Sequence, residues 1–185
     1  MSDFFEVAYK FTSKWEGGVC DVPGDRGGKT AYGISSRYHP EMFEKGVPTK
    51  AQAKKFFYKN YWLANKLNEI TNPVFAVWAF DLAVNSGKTG VKQFQLAIND
   101  AIRCNPIKAD EITTDGIIGK KTISATKKFK SAMRTGVFNS CVWNRRKKFY
   151  KRLAKSKNQE KFLDGWLNRV QACYDNCLKL SDKKS

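Results

Sequence analysis

The sequence predicts a mainly α-helical chain with one small β-hairpin or irregular element near residues 17–36. Three observations carry this. Apolar residues recur at helical spacing through most of the chain. One stretch, Gly17 to Ser36, holds six glycines and a proline and interrupts that period. Of the 185 residues, 42% are hydrophobic and 14% aromatic, which is enough for a sizeable core and too rich for a disordered chain.

The elements follow in order. Phe4, Phe5, Ala8, Phe11 and Trp15 fall near one face, so Asp3 to Glu16 reads as an amphipathic helix stopped by Gly17-Gly18, with Glu16 its last residue. The glycine-rich stretch comes next. Thr49 is placed to cap a helix running through Phe56, Phe57 and Tyr61. Asn72-Pro73 opens a helix that is apolar nearly all round to Val84, apart from Asp81, and that ends at Asn85-Ser86-Gly87. It should be the centre of the core. A further helix carries Val91, Phe94, Gln95 and Ile98. The turn-rich Asp115-Gly116-Ile117-Ile118-Gly119 precedes a helix with Ile123, Phe129 and Met133, and two more helices follow. The last spaces Phe162, Trp166, Val170 and Tyr174 four apart, on a face that must be buried. No window reaches the roughly 18 apolar residues of a membrane span.

Charge is unevenly placed. The chain has 34 Lys and Arg against 17 Asp and Glu, a net charge of +17. Through Lys88 the net is +3, and from Thr89 onward it is +14. A basic half suits a polyanion as partner, whether nucleic acid, an anionic membrane surface or the anionic bacterial envelope, and equally a solvated face that keeps the protein soluble. No nucleic-acid motif accompanies it. The five cysteines are an odd number for a disulfide framework. Cys173 and Cys177, four apart on one predicted helix face, suit two packed thiols better than a bridge, and the thiols are expected to be reduced. Met1 to Lys10 carries acids and no basic-then-apolar signal pattern, so the expected location is the cytoplasm unless something releases the chain.

The chemistry available is narrow. The single histidine, His39, lies beside Pro40 with no nucleophile elbow nearby, and the cysteines lack zinc-ligand spacing. No phosphate-cradling glycine loop is present. Neither a metal nor a cofactor is expected, which leaves carboxylates. Glu16, at a predicted helix C-terminus, flanked by Trp15 and two glycines, is placed where the macrodipole and partial desolvation both favour the protonated form required of a general acid. An ordinary exposed glutamate before a helix-stopping glycine fits the same residues. Asp25, beside Arg26 and Lys29, would stay ionised and suits a second carboxylate, or a turn aspartate bonded to its own backbone. Thr30 would hold a water or sugar hydroxyl, or cap the turn. Tyr32 suits a sugar-stacking or a core role, and Asn85 and Ser86 suit cleft-lining or helix-capping roles.

Glu16-Gly17-Gly18 followed by Asp25-Arg26-Gly27-Gly28-Lys29-Thr30-Ala31-Tyr32-Gly33-Ile34 resembles the N-terminal signature of glycoside hydrolase family 108, the N-acetylmuramidases of phage endolysins and secretion-linked muramidases. Phe80 to Gly87 looks like the same family. Phe94-Gln95, Asn99, Asp115 to Gly119 and Thr122 are similar to its C-terminal predicted peptidoglycan-binding region, and Gly165 to Val170 to its closing segment. Val19-Cys20 departs from the pattern, which has an aromatic there. The resemblance implies a lysozyme-like fold, with residues 1–88 catalytic and 89–185 peptidoglycan-binding, packed as one unit. It implies Glu16 as catalytic acid, with Asp25 and Thr30 completing the set. It further implies cleavage of the β-1,4 bond between N-acetylmuramic acid and N-acetylglucosamine by a monomer. Peptidoglycan strands would be the partner, with the basic half drawn to the anionic envelope and no specific nucleic acid bound. The protein would wait in the host cytoplasm until a separate pore-forming protein admits it to the wall. A lytic transglycosylase using Glu16 alone and a non-catalytic wall-binding module are the alternatives.

Overall fold

The structure is a computed structural model that describes residues 3–20, 29–104 and 107–182. Its helices are α1 (Asp3–Thr12), α2 (Lys50–Phe57), α3 (Pro73–Cys104), α4 (Lys120–Thr126), α5 (Ala132–Lys157) and α6 (Leu163–Asp182). Three two-residue strands, β1 (Val19–Cys20), β2 (Thr30–Ala31) and β3 (Ile34–Ser35), form an antiparallel sheet in that order. The expected mainly α fold with one small hairpin is what the chain adopts. No helix among the described residues is long and apolar enough to cross a membrane.

Local chemistry sets the ends of these elements. Thr49 caps α2 as expected: its hydroxyl accepts from the Gln52 amide N–H while the Gln52 side chain accepts from the Thr49 N–H, a reciprocal box. The helix then widens into a π turn, Tyr58–Leu63. Ala31 pairs with Ile34 across the two-residue turn Tyr32-Gly33, whose φ angles of +51° and +82° match the twist a tight hairpin needs. Gly33 takes this conformation without the clash a Cβ brings.

Helix α3 is the spine, and α1, α5 and α6 all pack on it. Every residue from Pro73 to Ala83 is buried. On its first half, Phe80 meets Phe5 and Trp62 edge-on, and Phe75 stacks on Phe138 of α5 at 3.9 Å. At Gly87 the backbone leaves the helical region (φ +51°, ψ −134°), and the second half sets off in a new direction. The join is tight. A Cβ on Gly90 would lie 1.9 Å from the Leu82 carbonyl oxygen, so only glycine fits there. Trp78 Nε1 donates to Asn139 Oδ1 of α5 (2.7 Å), whose amide donates to the Tyr174 carbonyl of α6 (3.2 Å), tying three helices through one buried polar chain.

Two expectations shift. The helix predicted through Ile123, Phe129 and Met133 is two: α4 stops at Thr126, Phe129 is buried in the connection, and Met133 starts the exposed face of α5. Ser131 caps α5 by accepting from the Arg134 N–H, which is why a new helix begins there. On α6, Val170 is buried but Phe162 is 48% exposed, because the chain enters the helix through a 3₁₀ turn at Glu160–Phe162. Cys173 and Cys177 are fully buried free thiols, as expected, and Cys20, Cys104 and Cys141 are free as well.

Candidate active site

Glu16 is not the last helical residue. Helix α1 ends at Thr12, and two tight turns (Ser13 N–H to Tyr9 O, Trp15 N–H to Thr12 O) carry the chain to Glu16, four residues beyond. The macrodipole argument therefore loses its geometry. Gly17, at φ +75°, then turns the backbone toward β1.

Burial does the work assigned to the dipole. The Glu16 side chain is 18% exposed, and its pKa is raised, chiefly because burial disfavours the carboxylate. Arg169 of α6 pulls the other way, through its charge and a hydrogen bond from Nη2 to Glu16 Oε1 (2.8 Å), and Asp81 adds a smaller upward push. The net direction favours the acid form. Asp81, 1% exposed on α3, is held by the same guanidinium: Nη2 donates to Oδ1 at 2.7 Å and Nε at 3.1 Å, and the Thr12 hydroxyl donates to Oδ1 at 3.2 Å. Arg169 thus ties α6 to Asp81 of α3 and to Glu16 in the segment after α1, and fixes where the Glu16 carboxyl sits.

The hairpin supports Glu16 from the other side. A Cβ on Gly33 would fall 2.8 Å from Glu16 Cβ and 3.0 Å from Oε2, so the turn backbone rests directly on the glutamate side chain. Tyr61, on the π turn, is also close: its hydroxyl pKa is raised by burial and then by the Glu16 charge. Glu16 is held at one oxygen by Arg169 and flanked at the other by a glycine.

The remaining sequence-derived residues are distributed as follows. Thr30 is half-buried on β2, opposite Cys20 and Ser35, on the sheet whose turn touches Glu16. Tyr32 is half-buried against the core, and its N–H donates to the Gly18 carbonyl at 3.0 Å. Asp25 lies outside the described residues. Asn85 and Ser86 are half-buried at the end of the first half of α3, where a single cluster takes up their oxygens. Asn85 Oδ1 accepts from the Ser86 hydroxyl (2.8 Å), Arg146 Nη2 (3.0 Å) and the Tyr150 hydroxyl (2.6 Å), and Arg146 Nη1 donates to Ser86 Oγ (3.3 Å). Asp81 and Asn85 are one turn apart on one helix face, so the neutral oxygens around Arg146 adjoin the ionic cluster around Arg169.

Arg169, Tyr61, Arg146 and Tyr150 were not singled out in the sequence. One signal pointed to Arg169: a lone Asp81 in an otherwise apolar helix demands a buried partner, and the arginine inside the apolar face of the last helix supplies it.

Residues 9–87 match the family model Glycosyl hydrolase 108, and residues 90–171 match the Predicted Peptidoglycan domain. No curated protein matches the chain. Among solved structures, that of Brucella abortus SagA superposes with a TM-score of 0.71 at 25% identity, over 96% of this chain and 95% of that one. The resemblance read from Glu16-Gly17-Gly18 and its neighbours is borne out: the chain joins a glycosyl hydrolase 108 region to a predicted peptidoglycan domain. The two matches support a role as a cell-wall glycoside hydrolase.

Proposed function

We propose that this cell-wall glycoside hydrolase is a muramidase that cuts the β-1,4 bond between N-acetylmuramic acid and N-acetylglucosamine, with Glu16 as general acid. The observation that carries the reading is the state of Glu16: a largely buried carboxyl with a raised pKa, oriented by Arg169 and backed by Gly33, inside the region matching a glycosyl hydrolase family. Burial shifts such a group toward the protonated form that a general acid needs to deliver a proton to a leaving-group oxygen.

In this mechanism Glu16 protonates the glycosidic oxygen as the bond to the sugar breaks. Asp25 stabilises the developing oxocarbenium charge or positions water together with Thr30. Asp81 is locked by Arg169 and Thr12 and serves the site by positioning the arginine. The protein acts as a monomeric endolysin, held in the host cytoplasm until a separate pore-forming protein admits it to the wall, and its basic half draws it to the anionic envelope.

Replacement of Glu16 tests this. Glu16→Gln is isosteric and still accepts from Arg169, and it should lower lysis of purified sacculi by about 10²–10⁴-fold, the usual contribution of a general acid. Near wild-type lysis by Glu16→Gln would overturn the mechanism. A second reading, a lytic transglycosylase, draws on the engagement of Asp81 with Arg169, which leaves Glu16 as the carboxyl free to act among the described acids near it. Mass spectrometry of the products separates the two, since hydrolysis adds water and transglycosylation leaves anhydro-muramic ends.

A further inference from the structure

Helix α5 carries nine Lys and Arg and no acidic residue along its 26 positions. Arg146 points inward, Lys147 lies over the Trp143 ring, and Arg145 is paired with Asp100. Of the other six, Lys148, Lys151 and Arg152 lie close together and are exposed, and among the described residues no acidic side chain pairs with any of these three. Lys151 and Arg152 stand three and four residues beyond Lys148, where like charges on a helix repel and destabilise it. Together with Arg145 and with Gln93 of α3 they line an open hollow of about 440 Å³ that contains no carboxylate.

The helix thus concentrates unbalanced charge at one groove, which an entering anion would relieve. All five lining residues fall within residues 90–171, the segment matching the Predicted Peptidoglycan domain. From Arg145 to Arg152 is seven residues, a rise of about 10 Å along the helix. An extended peptide covers about three residues in that distance. Carboxylates on a short peptide therefore span the groove, meeting the Arg152 fork and the Lys148 and Lys151 point charges, while Arg145 stays engaged with Asp100 at the far end and the Gln93 amide is available to a peptide group.

We infer that the cationic groove between α3 and α5 binds the carboxylates of the acidic peptide stems that branch from peptidoglycan strands. This deepens the proposed function, on which it rests for the identity of the wall, by separating the group that reads the peptide from the group that cuts the glycan.

The test is an NMR titration of the full-length protein with a synthetic stem tetrapeptide (L-Ala, D-Glu, diaminopimelate, D-Ala) bearing free carboxylates. Its fully amidated counterpart and inorganic polyphosphate form parallel arms. Shifts should map to Gln93, Lys148, Lys151 and Arg152 and weaken as salt is raised. Lys148→Gln/Lys151→Gln/Arg152→Gln should lose affinity at least tenfold while its melting temperature holds or rises, because removing like charges relieves the helix. Glu16→Gln should bind as wild type does. Equal affinity for the amidated peptide, unchanged binding by the triple variant, or a preference of tenfold or more for polyphosphate would overturn the inference. A protein that lyses sacculi and ignores the peptide refutes the groove and leaves Glu16 standing. One that binds the peptide and cuts nothing refutes only the catalytic reading.

Discussion

Two buried arginines on the C-terminal helices reach the same face of α3 and are satisfied in opposite ways. Arg169, 6% exposed, meets two carboxylates, Asp81 and Glu16. Arg146, 1% exposed, meets the neutral oxygens of Asn85, Ser86 and Tyr150, and its Nε has no hydrogen-bond partner among the described residues. Burial works against both charges. For Arg169 the nearby Asp81 and Glu16 reverse that effect and hold its proton more tightly than usual, whereas for Arg146 burial prevails and its pKa falls. The same side chain is an ionic clamp in one place and a dipole-solvated strut one helical turn away. The difference predicts what each is for: the clamp sets the position and proton affinity of Glu16, and the strut holds α5 against the end of the first half of α3.

Removing the clamp should cost most. Arg169→Met strands Asp81 in the core with only the Thr12 hydroxyl, and the loss of one partner of a buried pair costs about 3–5 kcal/mol. Urea denaturation measures it. Arg146→Met deletes a charge that has no carboxylate to strand, leaving neutral groups short of partners at a cost of about 1–3 kcal/mol. Equal losses in the two variants would erase the distinction, as would a larger loss for Arg146→Met.

The hairpin side of the site gives a smaller and more specific contrast. Gly33→Ala adds backbone strain of about 1–2 kcal/mol at φ +82° and also pushes a methyl into the Glu16 side chain. Gly17→Ala carries the same kind of strain at φ +75° but meets nothing within 4 Å. Gly33→Ala should lose more stability than Gly17→Ala by the cost of that clash, and sacculus lysis should fall about tenfold or more only in Gly33→Ala, the expected result of displacing a catalytic group by about 1 Å. Equal activity in the two would show that the turn does not position Glu16.

Local rules made most of the fold readable. The Thr49 box, the Pro73 start, the break at Gly87 and the glycine-rich hairpin each follow from residues adjacent in sequence. The site was readable only in part, because its defining contacts are long-range: Arg169 and Glu16 are 153 positions apart, and Arg169 and Asp81 are 88. No periodicity reports such a pairing. Glu16 itself was found with an incomplete physical reason, since the helix stops at Thr12 and desolvation, not the helix end, raises its pKa. Asn85 and Ser86 were noticed as polar groups closing an apolar helix. Their partners on α5 depend on how that helix crosses α3, which only packing decides.

The smallest expected effect is also the most diagnostic, because its sign follows from the contest between burial and Arg169 at Glu16. A carboxyl whose pKa is raised on folding binds its proton more tightly in the native state than in the unfolded chain. Its contribution to stability is therefore fully present at pH below the ordinary carboxyl range. It is lost progressively as pH rises through the ordinary pKa of about 4.3 toward the raised native value. Glu16→Gln has no proton to lose. At neutral pH it should melt slightly above wild type, by about 1 kcal/mol or less, with about 2–4 °C expected per kcal/mol at this size. The gap should close as pH is lowered past the ordinary glutamate range. Over the same interval in which wild type loses that stability, its lytic rate should fall, since deprotonation of Glu16 removes the acid. If Glu16→Gln instead melts below wild type at neutral pH, and the gap widens as pH rises, then Arg169 outweighs burial. Glu16 would be held ionised in the resting protein, and the ionic clamp would oppose the acid rather than prepare it.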